Sequence, residues 1–146
     1  MISLELAGRL RDAGLRWNPA ERDLFALPER DMDDQLFVVS PLPALIQRLN
    51  GHSVVAFQAS AEWALDYVML AEVIWMPSEA QLRELLERTM TPDAPLRLER
   101  SASGYSCTIG LDGLPASYER DDAADAYAMA LLAVLARGDS REPISR

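Results

Sequence analysis

The stretch that decides the fold is YSCTIGLDGLPASYERDDAADAYAMALLAVLARG, residues 105–138. Its first half alternates apolar and polar residues around Asp112 and Gly113, and an Asp-Gly pair between such runs is typical of a β-hairpin. Its second half starts with Asp121 and Asp122 and then repeats apolar residues at helical spacing up to a glycine, which predicts a final helix. A hairpin followed directly by a helix predicts an α+β fold with an antiparallel sheet.

Two further helices are predicted from their first residues. Ser3 has the side chain of an N-cap, and apolar residues then recur every three or four positions up to Gly14. Ser78 followed three residues later by Gln81 matches a capping box, so another helix is expected to run through Thr89. Both starts depend only on local residue order.

The middle of the chain predicts short strands and one more helix. Two runs, 23–27 and 35–39, flank an acidic turn at 28–34 and predict a hairpin. Ser40 followed by proline is typical of a helix start, and leucines at helical spacing predict a helix up to Asn50, with the following glycine as its stop. Further strands are expected at 54–58, 71–75, 96–100, 105–111 and 114–119. Residues 60–70 fit either a helix or a strand.

The predicted order gives one compact α+β domain at residues 1–138, with a mostly antiparallel sheet covered by about four helices. The chain has 146 residues, 49% of them hydrophobic, and shows no repeat or flexible linker, which suits a single domain. Residues 139–146 are expected to form a disordered tail. Pro115 has no backbone N–H, so the strand that contains it is expected at a sheet edge.

Composition excludes several classes of enzyme. All 14 basic residues are arginine, so the chain has no lysine for a P-loop, a Schiff base or a kinase-type nucleotide site. The single histidine, His52, and the single cysteine, Cys107, are too few for zinc, iron–sulfur or haem motifs. His52 is interpreted as a turn residue and Cys107 as a small core residue. The sequence therefore assigns no catalytic, cofactor-binding or metal-binding residue.

The net charge bears on partners. A formal charge of −9 with a pI near 4.5 opposes binding to nucleic-acid phosphates, and it favours encounter with a basic protein. The first residues lack the basic and apolar regions of a signal peptide, and no run reaches the roughly 18 apolar residues of a membrane span. We therefore expect a cytoplasmic protein without membrane or nucleic-acid partners.

Aromatic residues among carboxylates form the candidate partner-binding patch. Trp and Tyr provide large contact areas at a low entropy cost, and acidic neighbours would favour a basic partner. The same spacing also fits core aromatics beside a solvated helix, so both interpretations stay open. The candidate residues are Glu62, Trp63, Asp66, Tyr67 and Trp75.

Four segments carry a resemblance to a known family. These are EWALD at 62–66, IWMPSEAQLRELL at 74–86, LRDAGLRW at 10–17, and the helix at 123–135. They resemble a family of small actinobacterial proteins of unknown function, whose members are often labelled pilus assembly proteins. That label implies a P-loop ATPase-like domain, and this chain departs from it because it lacks lysine and a glycine-rich loop between a strand and a helix. The resemblance implies the extent of the fold and transfers no catalytic residue.

These observations lead to three functional hypotheses. The first is a non-catalytic, acidic protein-binding or regulatory protein, such as an inhibitor or immunity-like protein for a basic nuclease. The second is an enzyme that uses carboxylates, with or without a divalent cation. Its candidate ligands are Asp31, Asp33 and Asp34, or Asp121, Asp122 and Asp125. The third is a small-ligand carrier with a pocket between sheet and helices. The sequence leaves the oligomeric state open.

Overall fold

The computed structural model describes residues 1–28, 36–39, 44–57 and 67–137. Its helices are α1 (Leu4–Asp12), α2 (Glu79–Thr89) and α3 (Ala123–Arg137), with a single 3-10 turn at Leu70–Glu72. Its strands are β1 (Leu24–Ala26), β2 (Leu36–Val38), β3 (Ala44–Leu49), β4 (His52–Phe57), β5 (Tyr67–Met69), β6 (Ile74–Trp75), β7 (Leu96–Ser101), β8 (Gly104–Leu111) and β9 (Leu114–Arg120). Among the described helices, none combines the length and the apolar character needed to cross a membrane.

The described strands form three antiparallel sheets of three strands each. Their orders are β2–β1–β6, β3–β4–β5 and β7–β8–β9. Every strand pair among the described residues is antiparallel. The predicted α+β class with antiparallel sheets is therefore confirmed.

The chain divides into two compact units. The helical unit, Met1–Asn18 with Met76–Arg146, holds the three α-helices and the β7–β8–β9 sheet. The strand unit, Pro19–Trp75, holds the other two sheets. The expected single compact body with about four helices differs from this arrangement, since the described residues form three α-helices and two units. The domain limits 1–138 stay a prediction, and the tail predicted at 139–146 lies outside the described residues.

Local capping fixes the first two helices of the helical unit. The backbone N–H of Leu6 donates to the Ser3 hydroxyl at 3.4 Å at the start of α1. At the start of α2, the Gln81 N–H donates to Ser78 Oγ at 3.3 Å, and the Ser78 N–H donates to Gln81 Oε1 at 2.8 Å. Reciprocal bonds of this kind satisfy backbone donors that a helix start leaves free. Both predicted helix starts are confirmed.

Helix α3 lies at the centre of the helical unit. It contacts α1, α2, β8 and β9. Cys107 and Ile109, two residues apart on β8, are fully buried, as the alternation along this strand predicts. The alanines of α3 bring the helix close to its neighbours because they add little side-chain volume. The buried ones are Ala123, Ala124, Ala126, Ala128 and Ala130.

The β7–β8–β9 meander follows its turn signals. Asp112 and Gly113 both have positive φ, 52° and 79°, as the two central residues of a type I′ turn require. Leu111 and Leu114 pair directly across this turn. Strand β9 lies at the edge of its sheet, and Pro115 lies in it. The predicted hairpin and edge position are both confirmed.

The first sheet of the strand unit is built around a row of aromatic residues. Phe25 in β1 pairs with Phe37 on one side and with Trp75 on the other. The two phenylalanine rings stack with their centroids 5.4 Å apart, and Phe25 is completely buried. The hairpin predicted at 23–27 and 35–39 is confirmed. Of the strand predicted at 71–75, only Ile74 and Trp75 form a strand.

The helix predicted from Ser40 to Asn50 is wrong for residues 44–49, which form β3. This strand pairs with β4 along its whole length, from Leu49↔His52 to Ala44↔Phe57. Asn50 and Gly51 have φ values of 50° and 87°, so they form the two-residue turn of a hairpin and not the end of a helix. The cross-strand pairing overrides the helical spacing of the leucines. Residues 40–43 lie outside the described part of the chain.

The ambiguous segment 60–70 is resolved only at its end. Residues 67–69 form β5, which pairs with β4 through Val54↔Met69, Val55↔Val68 and Ala56↔Tyr67. Residues 58–66 lie outside the described residues. The strand alternative therefore holds for residues 67–69, whereas Leu70 begins the 3-10 turn.

Candidate functional site

The predicted aromatic patch is only partly covered by the structure. Glu62, Trp63 and Asp66 lie outside the described residues. Tyr67 begins β5 in one sheet, whereas Trp75 lies in β6 of another. Trp75 is only 6% exposed, so it offers a partner very little contact area. For the other four residues, the patch stays a prediction.

The two residues with potential for acid–base or nucleophilic chemistry occupy ordinary positions. His52 is the exposed first residue of β4, directly after the hairpin turn. Cys107 is fully buried, and burial raises the pKa of its thiol to about 11. A thiol with that pKa is almost entirely protonated at neutral pH, so it is a poor nucleophile. Cys107 therefore acts as a core residue.

The carboxylates at the start of α3 are engaged with the beginning of the chain. Asp122 Oδ2 lies 2.6 Å from the Met1 ammonium, and Asp122 Oδ1 accepts from the Ala124 N–H at 2.8 Å. The Ser3 N–H donates to Asp125 Oδ1 at 2.7 Å. The ammonium is the main cause of the lowered pKa of Asp122. These two carboxylates thus join the starts of α1 and α3.

A metal site finds no support in the described part of the chain. Within it, no group of three or more His, Cys, Asp or Glu side chains is arranged to hold a metal ion. Asp31, Asp33 and Asp34, the other predicted ligands, lie outside the described residues. The cation-dependent alternative stays a prediction for that segment alone.

Strand β2 presents exposed apolar side chains. Leu36 is 43% exposed and Val38 is 52% exposed, and they lie on the same side of the strand. Phe37, between them, turns to the opposite side and stacks on Phe25. Across the sheet, Val38 pairs with Leu24, and Leu36 pairs with Ala26. Both sides of this strand are therefore apolar, and one of them faces solvent.

Among the described residues, the backbone of β2 pairs on one side only. Val39 donates its N–H to the Asp23 carbonyl at 2.8 Å and accepts from the Arg22 N–H at 2.8 Å. Because hydrogen-bonded pairs alternate along an antiparallel ladder, Phe37 also points its N–H and C=O toward β1. The N–H and C=O groups of Leu36 and Val38 then point away from β1, toward the sheet edge.

Negative charge is concentrated in the same unit. The strand unit has nine acidic residues and three arginines in its sequence. Four of the acids, Glu29, Asp31, Asp33 and Asp34, directly precede β2 in the chain. We define the binding edge as Leu36–Val38, and the acidic segment 29–34 lies outside the described residues. The binding edge combines exposed apolar side chains with ladder positions that no described residue pairs.

The sequence predicts β2 and the acidic turn as separate features and does not predict a binding surface at β2. The run LFVV at 36–39 is apolar on both sides of a strand, which requires a cover on each side or leaves one side exposed. That signal was available in the sequence. The resemblance to small actinobacterial proteins stays a prediction, and no family model, curated protein or solved structure matches the chain.

Proposed function

We propose that this chain is a cytoplasmic, non-catalytic acidic protein that binds a basic protein partner through the binding edge. The observation that carries the proposal is the exposure of Leu36 and Val38 on an edge strand that directly follows four acidic residues. Exposed apolar side chains beside charged residues are typical of protein-binding surfaces. A basic partner is expected because the net charge of the chain is negative.

Apolar side chains and negative charge would contribute to binding in different ways. Covering the exposed parts of Leu36 and Val38 would contribute about 1 kcal/mol each, because each side chain is already half buried. The carboxylates would mainly speed association with a basic surface, and added salt would weaken that effect. Apolar burial therefore sets how long the complex lasts, and charge sets how fast it forms.

A regulatory role fits this chemistry. Proteins that act on nucleic acids carry basic surfaces, and an acidic protein that covers such a surface blocks access to it. An inhibitor or immunity-like protein of a basic nuclease is therefore the specific form of the proposal. It requires no catalytic residue in this chain.

The test compares two exposed leucines. Leu36→Arg places a positive charge in the binding edge, whereas Leu114→Arg makes the same change on the helical unit, where Leu114 is 72% exposed. We expect the wild type and Leu114→Arg to capture the same basic protein from a cell extract at low salt, and Leu36→Arg to lose it. Mass spectrometry identifies the captured protein, and calorimetry with that protein measures the loss.

Two outcomes would contradict the proposal. One is equal capture by Leu36→Arg and Leu114→Arg, which would place the contact away from the binding edge. The other is capture that does not weaken as salt is raised, because a charge-assisted complex must respond to screening. Circular dichroism of each variant confirms that the fold is retained.

A further inference from the structure

The backbone and side chains of β2 expose the same two residues. Leu36 and Val38 point their N–H and C=O groups toward the sheet edge, and their side chains are exposed as well. A strand with both features can accept another strand beside it, through main-chain hydrogen bonds and side-chain contacts at alternate positions. Phe37 and Val39, whose backbones face β1, cannot contribute to such an addition.

We propose that the partner binds as an extended segment that adds to β2 as a further strand of the β2–β1–β6 sheet. This inference rests on the proposed function and specifies how the partner is held. The short length of β2 limits the addition to a few main-chain hydrogen bonds. Pro41 and Pro43 follow closely in the sequence and have no N–H to donate, so they limit extension at that end.

The chemistry of the added segment follows from what it would meet. Residues opposite Leu36 and Val38 would lie on the same side of the sheet as these side chains, so β-branched or other apolar residues fit there. Arginine or lysine residues in the segment would complement the excess of acidic residues in the sequence of the strand unit. The expected ligand is therefore an extended basic segment with apolar residues at alternate positions.

Charge opposes a second copy of this chain as the occupant. Pairing two β2 strands would bring together two units, each with nine acids and three arginines in its sequence. Like charges at this density repel unless salt screens them. A basic strand from another protein meets no such repulsion.

The first measurement is amide hydrogen exchange of the free protein by NMR. We expect fast exchange at Leu36 and Val38 and slower exchange at Val39, whose N–H already bonds to the Asp23 carbonyl. Equal protection at all three amides would show that the edge is already covered by the protein's own chain. That result would overturn strand addition.

The second measurement adds a defined probe. It is a synthetic peptide with a central Val-Thr-Val-Thr-Val run and two arginines at each end. We expect saturating peptide to slow exchange at Leu36 and Val38 at least tenfold and to leave Val39 unchanged. The same peptide N-methylated throughout its central run keeps its charge and side chains but lacks the N–H donors, so it should bind at least tenfold more weakly. A version with glutamate in place of arginine should also bind at least tenfold more weakly.

The outcomes separate this inference from the proposed function. Equal binding of the N-methylated peptide, or no binding of any peptide at millimolar concentration, would overturn strand addition while the capture experiment still decides whether a basic partner exists. A dimer in sedimentation that Leu36→Arg abolishes would make a second copy the occupant. Equal capture of the basic protein by the wild type and by Leu36→Arg would instead contradict the proposed function.

Discussion

The helical unit and the strand unit differ in where their order comes from and in how their charge is distributed. In the helical unit, α1 and α2 begin at capping side chains that are their neighbours in sequence. In the strand unit, β1 is held between β2 and β6, which are farther along the chain. In sequence, the helical unit has fourteen acidic residues and eleven arginines, whereas the strand unit has nine and three. We therefore expect the helical unit to be stable through its own contacts, and we propose the strand unit as the one that binds a partner.

The largest expected effect is on the strand unit, from Phe25→Ala. Phe25 is completely buried between Phe37 and Trp75, so its removal leaves a cavity that costs about 3–5 kcal/mol of unfolding free energy. We expect hydrogen exchange to speed up first in β1, β2 and β6. Leu36→Ala, at an exposed position, should cost less than about 1 kcal/mol.

How far the destabilisation by Phe25→Ala spreads tests whether the two units are stable independently of each other. If amides of α2 and α3 lose protection to the same extent as those of β1, the two units unfold together and the division of roles between them is wrong. If their protection is retained, the helical unit is stable through its own contacts. Urea denaturation followed by hydrogen exchange distinguishes the two cases.

A comparable effect in the helical unit is expected from Gly104→Ala. Gly104 has φ +126°, and an added Cβ would lie 2.5 Å from the Arg120 carbonyl oxygen. Backbone strain and the clash together should cost about 3 kcal/mol. Gly113→Ala is the control, because a Cβ there meets open space and only the strain of its φ of +79°, about 1–2 kcal/mol, applies. Equal losses in thermal unfolding would show that the Arg120 contact is unimportant.

The two units also differ in how far their fold could be predicted. The helix starts at Ser3 and Ser78 and the turn at Asp112 depend on neighbours in sequence, so local patterns were sufficient. The leucines at 45 and 49 fit a helical stripe equally well, and only the Asn50–Gly51 turn and its pairing with β4 decide for a strand. Asn-Gly is itself a local hairpin signal, so two local patterns conflict here, and the turn with its pairing prevails over the leucine spacing.

The residues of the candidate site were also only partly predictable from the sequence. Sequence reasoning selected aromatic residues as contacts, but an aromatic residue on a short strand is as suited to a core as to a surface. Trp75 is buried because Phe25 lies opposite it, a pairing between residues 50 positions apart in the chain. The apolar run at 36–39 indicates that both sides of the strand need a cover, and only the packing of the sheet decides that Leu36 and Val38 are exposed.

A smaller effect is expected from Asp122→Asn, which tests the charge contacts of the helical unit. The Met1 ammonium and the amides at the start of α3 lower the pKa of Asp122. A carboxyl whose folded pKa lies below its unfolded pKa stabilises the fold above that unfolded pKa, near 4, and loses this effect as pH falls through the folded pKa. Because the side chain is half exposed and asparagine still caps a helix, the loss at pH 7 should stay below about 1 kcal/mol.

The measurement is urea denaturation of wild type and variant at pH 7 and at pH 2.5. The difference in unfolding free energy should be present at pH 7 and reduced at pH 2.5, where more of the carboxyl is protonated. Asp121→Asn removes the same charge at the neighbouring exposed position and is the matched control. An unchanged or larger difference at pH 2.5 would mean that the ion pair with Met1 does not stabilise the fold.

The smallest effect returns to the strand unit, at the bulge that sets the register of β2. Arg22 has φ +70°, and together with Asp23 it faces the single residue Val39, which is the geometry of a β-bulge that favours glycine. Arg22→Gly removes strain of about 1–2 kcal/mol but adds about 0.5–1 kcal/mol of unfolded-chain entropy, so a net gain of about 0.5 kcal/mol is expected.

Two controls separate strain from charge at this position. Arg22→Asn removes the same charge and tolerates positive φ, so it should be neutral or slightly stabilising. Arg22→Val should destabilise by about 1 kcal/mol or more, since a branched side chain is poorly suited to this conformation. Thermal unfolding ranks the three variants, and because all three lack the arginine charge, equal stabilities would assign the effect to charge and remove strain as the explanation. Because the glycine variant keeps the bulge, Leu36 and Val38 should keep their fast amide exchange and their peptide binding, which ties the register of β2 directly to its capacity to accept a partner strand.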